Sequence, residues 1–263
     1  MNPTRTGAAA AAAAVALATL AGACSDSTGP KEPGGRVTVG FDVASPSAAT
    51  VAFAGTNGVL TVTEVWLVMD EFRLERITAA CEIVLVESPD DDCEELQAPP
   101  FFVWVPLEGG TAWTVGTDIA PGPYVELEFE TRAPDDDEAD AALLAEIQAS
   151  YFADWPAGAS LLVVGTFTKT TFSPPREVTT PFRAYLDAEV EVELAFGEEM
   201  PLMVVEGGGR LVIVSIDPAV WFTNGDGTVM DLSVYDYDLT GDVFPFDGDL
   251  AGGFAGIELD GTR

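Results

Sequence analysis

The 263-residue chain has no histidine, 11 Lys and Arg together, and 3 cysteines. Without histidine there is no Ser-His-Asp or Cys-His nucleophile, no imidazole-ligated zinc and no histidine pH switch. Against the few basic residues stand 44 Asp and Glu, giving a formal charge of -33. So acidic a chain repels phosphate backbones, which excludes nucleic acid as a partner. Neither a phosphate-binding loop nor a dinucleotide glycine pattern occurs, and nucleotide chemistry goes with them. No apolar run beyond the N-terminus approaches the roughly 20 residues of a membrane-spanning helix. Yet 48% of residues are hydrophobic and 10% aromatic, too much for a disordered acidic chain. The chain folds around a core.

Residues 1–23 read as a signal peptide: Arg5, an apolar run over 8–20, then Leu20-Ala-Gly-Ala-Cys24. The ending resembles a bacterial lipoprotein signal, which implies lipidation of Cys24 and a membrane-anchored mature chain. Leu20 stands four residues before Cys24, one more than in the usual box. Ala21-x-Ala23 also suits ordinary signal peptidase. Cysteine parity favours the lipid. Cys81 and Cys93 are close enough to pair, leaving Cys24 as the odd thiol in an oxidising compartment. A Cys81–Cys93 disulfide would staple the excursion between them by roughly 2–3 kcal/mol. Their neighbours Glu82, Asp92, Glu94 and Glu95 disfavour a thiolate, and so a redox switch.

Residues 24–35 are polar, rich in Gly and Pro, and read as a flexible tether. From 36 to 263 the dominant period is two. Val37, Val39, Phe41 and Val43 alternate with polar residues or glycine. Val125, Leu127 and Phe129 alternate with Glu126, Glu128 and Glu130; Val190, Val192 and Leu194 with Glu189, Glu191 and Glu193. Each is a strand with one wet and one buried face. Further strands are expected at 59–69, 72–77, 83–87, 101–107, 112–116, 161–168, 181–186, 211–216 and 229–234, separated by turn residues. One helix is expected near 138–152, charged and capped by Asp135–Asp137, with Leu143, Ile147 and Tyr151 on one stripe. The fold class is all-β, an antiparallel β-sandwich with one short helix. Two subdomains meeting near 133–160 are the alternative organisation.

Few motifs carry chemistry. Asp236, Asp238, Thr240, Asp242 and Asp247 fall at calcium-loop spacing, with Gly241 at the turn. Position 12 is Asp rather than Glu, Pro245 intrudes, and no flanking helices are expected. An acidic surface loop is the competing reading. Asn224-Gly-Asp-Gly227 is a second partial match that reads better as a hairpin turn. Glycoside hydrolysis needs two acids across a cleft, one desolvated, and the glutamate rows lie on faces expected to be solvated. The tryptophans offer a sugar-stacking platform. Trp66 reads as core, Trp104 and Trp113 as facing each other across a hairpin, and Trp221-Phe222 as a plug at one end.

Residues 60–76 (LTVTEVWLVMDEFRLER), 119–124 (IAPGPY), 154–160 (DWPAGAS) into 164–167 (VGTF), 215–222 (SIDPAVWF) and 226–228 (DGT) occur in this order. The chain thereby resembles uncharacterised secreted bacterial lipoproteins, a family without assigned function. The resemblance implies a secreted immunoglobulin- or transthyretin-like sandwich and transfers no catalytic residue. The expectation is a lipid-anchored bacterial envelope protein, not an enzyme, that binds or displays, exposed to periplasm or exterior, with a protein or glycan partner and no cofactor unless calcium. A carbohydrate-recognition module, calcium-dependent or not, is the alternative, and a carboxylate-only hydrolase the third reading.

Overall fold

Alternation in the sequence becomes two stacked sheets. The computed structural model describes residues 34–44, 50–76, 94–114, 116–135, 137–172, 175–196 and 200–259. Cys24, Cys81, Cys93 and the strand expected at 83–87 lie outside the described residues, as does almost all of the tether. The described residues belong to one compact unit, and none of their helices is long and apolar enough to cross a membrane.

In the first sheet, β1 (Gly35–Val43) and β13 (Gly209–Ile216) run parallel, in register from Arg36↔Gly209 to Val43↔Ile216. β15 (Phe254–Leu259) flanks β13, while β6 (Thr111–Trp113) and β7 (Thr117–Ile119) share the other edge of β1. The second sheet is built on β3 (Gly58–Arg76), which pairs β2 (Val51–Gly55), β4 (Glu94–Ala98), β5 (Phe101–Trp104), β8 (Gly122–Thr131) and β9 (Leu161–Phe172). β10 (Pro175–Asp187) and β14 (Phe244–Pro245) extend it beyond β9; β11 (Val190–Ala195) and β12 (Leu202–Val204) flank β8.

The sheets meet face to face. Phe41 of β1 stands edge-on to Phe129 of β8, ring centres 6.0 Å apart. Phe129 in turn meets Phe254 of β15 at 5.0 Å. The fold is the expected all-β sandwich with few short helices, but its sheets are mixed. β1 with β13, and the short β10–β14 contact, are parallel where an antiparallel order was expected. Two strands meeting across most of the chain need no hairpin, so nothing local fixes their direction.

β3 explains a second difference. Its inward residues are Leu60 and Val62, then Val65, Leu67 and Met69, then Phe72 and Leu74. The parity changes at register shifts between Val62 and Glu64 and between Asp70 and Arg73. A bulge inserts one residue and turns the following side chains over. One strand therefore reads as two in the sequence. At 229–234, where a strand was expected, a single bridge Thr223↔Val229 is followed by a 3₁₀ turn at Leu232–Tyr235. Asp231 accepts from the Ser233 N–H and hydroxyl there, offering the backbone a turn instead of a ladder.

On its outer face β3 carries a second hydrophobic layer. Helix α1 (Glu138–Ser150) starts at Asp137, whose side chain accepts from Asp140 N at 2.9 Å. Leu143 and Ile147 are buried against Val68, Leu162 and Tyr185. Burial of each such side chain contributes roughly 1.5–3 kcal/mol. Trp155 follows α1, its indole N–H donating to Ala159 O at 3.1 Å and its ring edge-on to Phe102 at 4.9 Å. Helix α2 (Pro218–Phe222), capped by Asp217, buries Trp221 and Phe222 in the sandwich core.

Candidate binding cavity

The edges of the two sheets and one side of α1 enclose a cavity of about 570 Å³. β5 brings Phe102 and Trp104 to it, because β5 pairs with β3 in the register Trp66↔Trp104 and Val68↔Phe102. Strand alternation then puts Trp66, Phe102 and Trp104 on one face. β6 brings Trp113 from the other sheet, opposite Gly40 of β1. Any Cβ at position 40 would stand 2.7 Å from Trp113 Cε3, so glycine is what lets the indole lie close to the strand. α1 supplies Leu143, Glu146 and Ile147, and Tyr151 follows at its C-cap. Trp104 and Trp113 thus line one cavity, but from different sheets rather than across a hairpin.

The walls are aromatic. Trp66 stacks on Phe102 at 4.9 Å with 16° between the planes, and lies 5.6 Å from Tyr151 and 6.5 Å from Trp104. Trp104, Trp113 and Tyr151 remain 39%, 50% and 53% exposed. Among the described residues, polar side chains in the lining are few: Thr114, Thr117, Glu146 and the Tyr151 phenol, beside the indole N–H groups, with no lysine or arginine. The Thr114 hydroxyl is already engaged, donating to Val39 O at 2.8 Å. The arrangement suits an apolar or aromatic body and supplies one negative charge.

Charged groups gather elsewhere, around two arginines. Arg132, at the end of β8, is ion-paired with Asp70 and lies 3.5 Å from Glu130, 3.0 Å from Asp135 and 3.2 Å from Asp140. Burial pulls the Arg132 pKa down, but Asp70, Asp140 and Asp135 outweigh it and the net shift is upward. Asp140 is raised by burial, although the Asp135 N–H and Arg132 oppose the shift. Asp135 is lowered, first by accepting from the Asp137 N–H and then by Arg132.

Arg183 of β10 holds Asp154 through two bonds of 2.6 and 3.2 Å and Asp238 through one of 2.6 Å. Its guanidinium lies 5.5 and 5.9 Å from the ring centres of Tyr185 and Tyr237. Burial, then Asp154, pushes the Tyr185 phenol far above its ordinary value.

The residues at calcium-loop spacing lie at the surface, and the first of them are tied to these contacts. Asp236 accepts from Arg183 N at 3.0 Å, and Asp238 is held by the guanidinium. The Thr240 hydroxyl donates to Asp236 O, and Asp242 N donates to Thr240 Oγ1. A short helix, α3 (Tyr237–Thr240), closes on Gly241, and Asp247 lies beyond β14. Among the described residues, the acidic side chains that converge within 4.8 Å are instead Asp135, Asp137 and Asp140. That triad could hold a metal ion by its donors, although Arg132 and backbone N–H groups already satisfy much of it. Asp135 and Asp137 had a visible signal as helix caps, but their convergence with Asp140 and Arg132 had none. At 224–228 the chain makes the expected tight turn, Asn224 N donating to Thr228 O at 2.8 Å.

Of the glutamate rows, Glu126 stands apart. Burial raises its pKa, and Glu75 and Glu193 add to the shift. It faces Glu75 across the β3–β8 ladder and takes no part in the cavity.

No protein-family model matches the chain, and no curated protein sequence does. Among solved structures, MbnP from Methylosinus trichosporium is similar with a TM-score of 0.34 and 10% sequence identity, over 68% of this chain and 75% of that one.

Proposed function

We propose that the chain is a non-enzymatic binding module of the bacterial envelope, anchored through a lipid on Cys24, whose ligand occupies the aromatic cavity. The observation that carries the reading is the cavity itself: about 570 Å³, walled by Trp66, Phe102, Trp104, Trp113 and Tyr151. That volume falls in the range of small-molecule sites. Exposed indoles cost apolar hydration that a ligand relieves. A binding role, rather than catalysis, is supported by the lining, where Glu146 is the one carboxylate among the described residues. Acid–base hydrolysis would need a second.

The sparse polar lining also favours an apolar or aromatic ligand over a carbohydrate, which needs hydrogen-bonding partners along its ring. Titration of the full chain with the neutral dye N-phenyl-1-naphthylamine tests the reading. Saturable fluorescence enhancement, weakened about tenfold or more by Trp104→Ala with Trp113→Ala, is expected. Binding indifferent to both substitutions would sink it, and a glycan-array signal lost with them would move it to carbohydrate. The anchor is tested separately, by incorporation of labelled palmitate that disappears in Cys24→Ala.

A further inference from the structure

We infer that the cavity selects an organic cation, a trimethylammonium or alkylammonium group, over a neutral molecule of the same shape. The inference rests on the cavity being the binding site and specifies its ligand. Aromatic faces carry negative charge density at their centres, and a cation within about 6 Å of a ring centre is attracted to it. Three of the walls, Trp104, Trp113 and Tyr151, retain large exposed areas able to receive such a group.

Charge complementarity points the same way. Glu146 is the one carboxylate among the described residues of the lining, delivered beside the apolar stripe of α1 because it adjoins Ile147 and follows Leu143 by three positions. The formal charge of -33 raises the local concentration of any cation and repels anions. A hard divalent ion would want six or more oxygen ligands, and the described residues of the lining offer one carboxylate, two threonine hydroxyls and the Tyr151 phenol. A large, weakly hydrated organic cation needs none of these. The protein already pairs a cation with aromatic faces elsewhere, Arg183 over Tyr185 and Tyr237. No arginine or lysine plays that part among the described residues lining the cavity.

The test compares choline with its neutral isostere 3,3-dimethylbutan-1-ol by calorimetric titration of the full chain, at ~0.15 M salt to screen long-range attraction. Choline should bind about tenfold more tightly than the isostere, in keeping with several ring contacts. Glu146→Gln should weaken choline several-fold and leave the isostere unchanged. Trp113→Ala and Trp104→Ala should each weaken choline several-fold, and circular dichroism and a cooperative thermal melt confirm that each variant is folded before its affinity is compared. Equal binding of the two probes, or choline binding that survives both tryptophan substitutions, would overturn the inference. If the neutral dye binds and choline does not, cation selectivity falls and the cavity reading stands. If neither binds, both fall.

Discussion

Arg132 Nη1 lies 3.2 Å from the carboxylate of Asp140, a side chain 2% exposed at the first turn of α1. The same carboxylate accepts from Asp135 N at 2.8 Å. A charge buried on a helix is thus neutralised by an arginine that directly follows β8. Removing one partner of a buried pair costs more than the pair contributes, because the other is left desolvated and uncompensated. Arg132→Ala should lower stability by about 3–5 kcal/mol. Asp140→Asn should cost less in the Arg132→Ala background than in the parent. Urea unfolding of the four proteins of this cycle measures the coupling, and additive costs would contradict the assignment.

Glu126 gives a pH prediction with a definite sign. Its carboxyl is raised in the folded state, by burial and then by Glu75 and Glu193. A raised acid favours the folded state most below its unfolded pKa, and that contribution disappears as pH rises through the folded pKa. Glu126→Gln mimics the protonated form. The variant should therefore exceed the parent in stability at pH 7, with the gap closing as the pH is lowered past the ordinary glutamate range. Melting temperatures of both proteins between pH 3 and 7 would show it; a gap that widens on acidification would contradict it.

The plug at Trp221 should tolerate little. Its indole N–H donates to Leu250 O at 2.8 Å. A Cβ on Gly253 would overlap Trp221 Nε1 and Cδ1. Gly253→Ala should cost about 1–3 kcal/mol through overpacking. Trp221→Phe, which removes the indole bond to Leu250 O and leaves a void in the core while Gly253 N–H still serves that carbonyl, should cost about as much. Near-UV circular dichroism and chemical unfolding would record both, and a neutral Gly253→Ala would show that the indole can shift.

Calcium should leave the melting temperature in place. Asp238 is committed to Arg183, and Asp135 and Asp140 to Arg132. A ligand at a hundred times its dissociation constant adds about 2.7 kcal/mol, which is roughly 5–10 °C for a domain of this size. Melts with excess calcium and with chelator, at matched ionic strength, test this. A rise of that size would return Asp236–Asp247 or the Asp135 triad to consideration as a metal site.

Strands with one wet face were legible in the sequence. Val37, Val39, Phe41 and Val43 alternate, and all four are buried. The capping of α1 was legible too, because Asp135–Asp137 stand just before its apolar stripe, and Asp137 is the residue that accepts from Asp140 N. Contacts across the sandwich were not. Ser215 donates to Asp42 at a separation of 173 residues, within the parallel pairing that no local pattern announces. The aromatic cavity was hidden likewise. Trp104 and Trp113 are nine positions apart, yet their placement depends on which sheet each strand joins.

β3 has a consequence for how the molecule comes apart. Along its 19 residues the two bulges hand side chains to the sandwich core on one side, while Trp66 and Val68 face the layer under α1 on the other. One backbone is a party wall between two rooms. The helix layer cannot loosen without exposing the back of the strand that closes the sandwich, so thermal damage at either layer is shared by both.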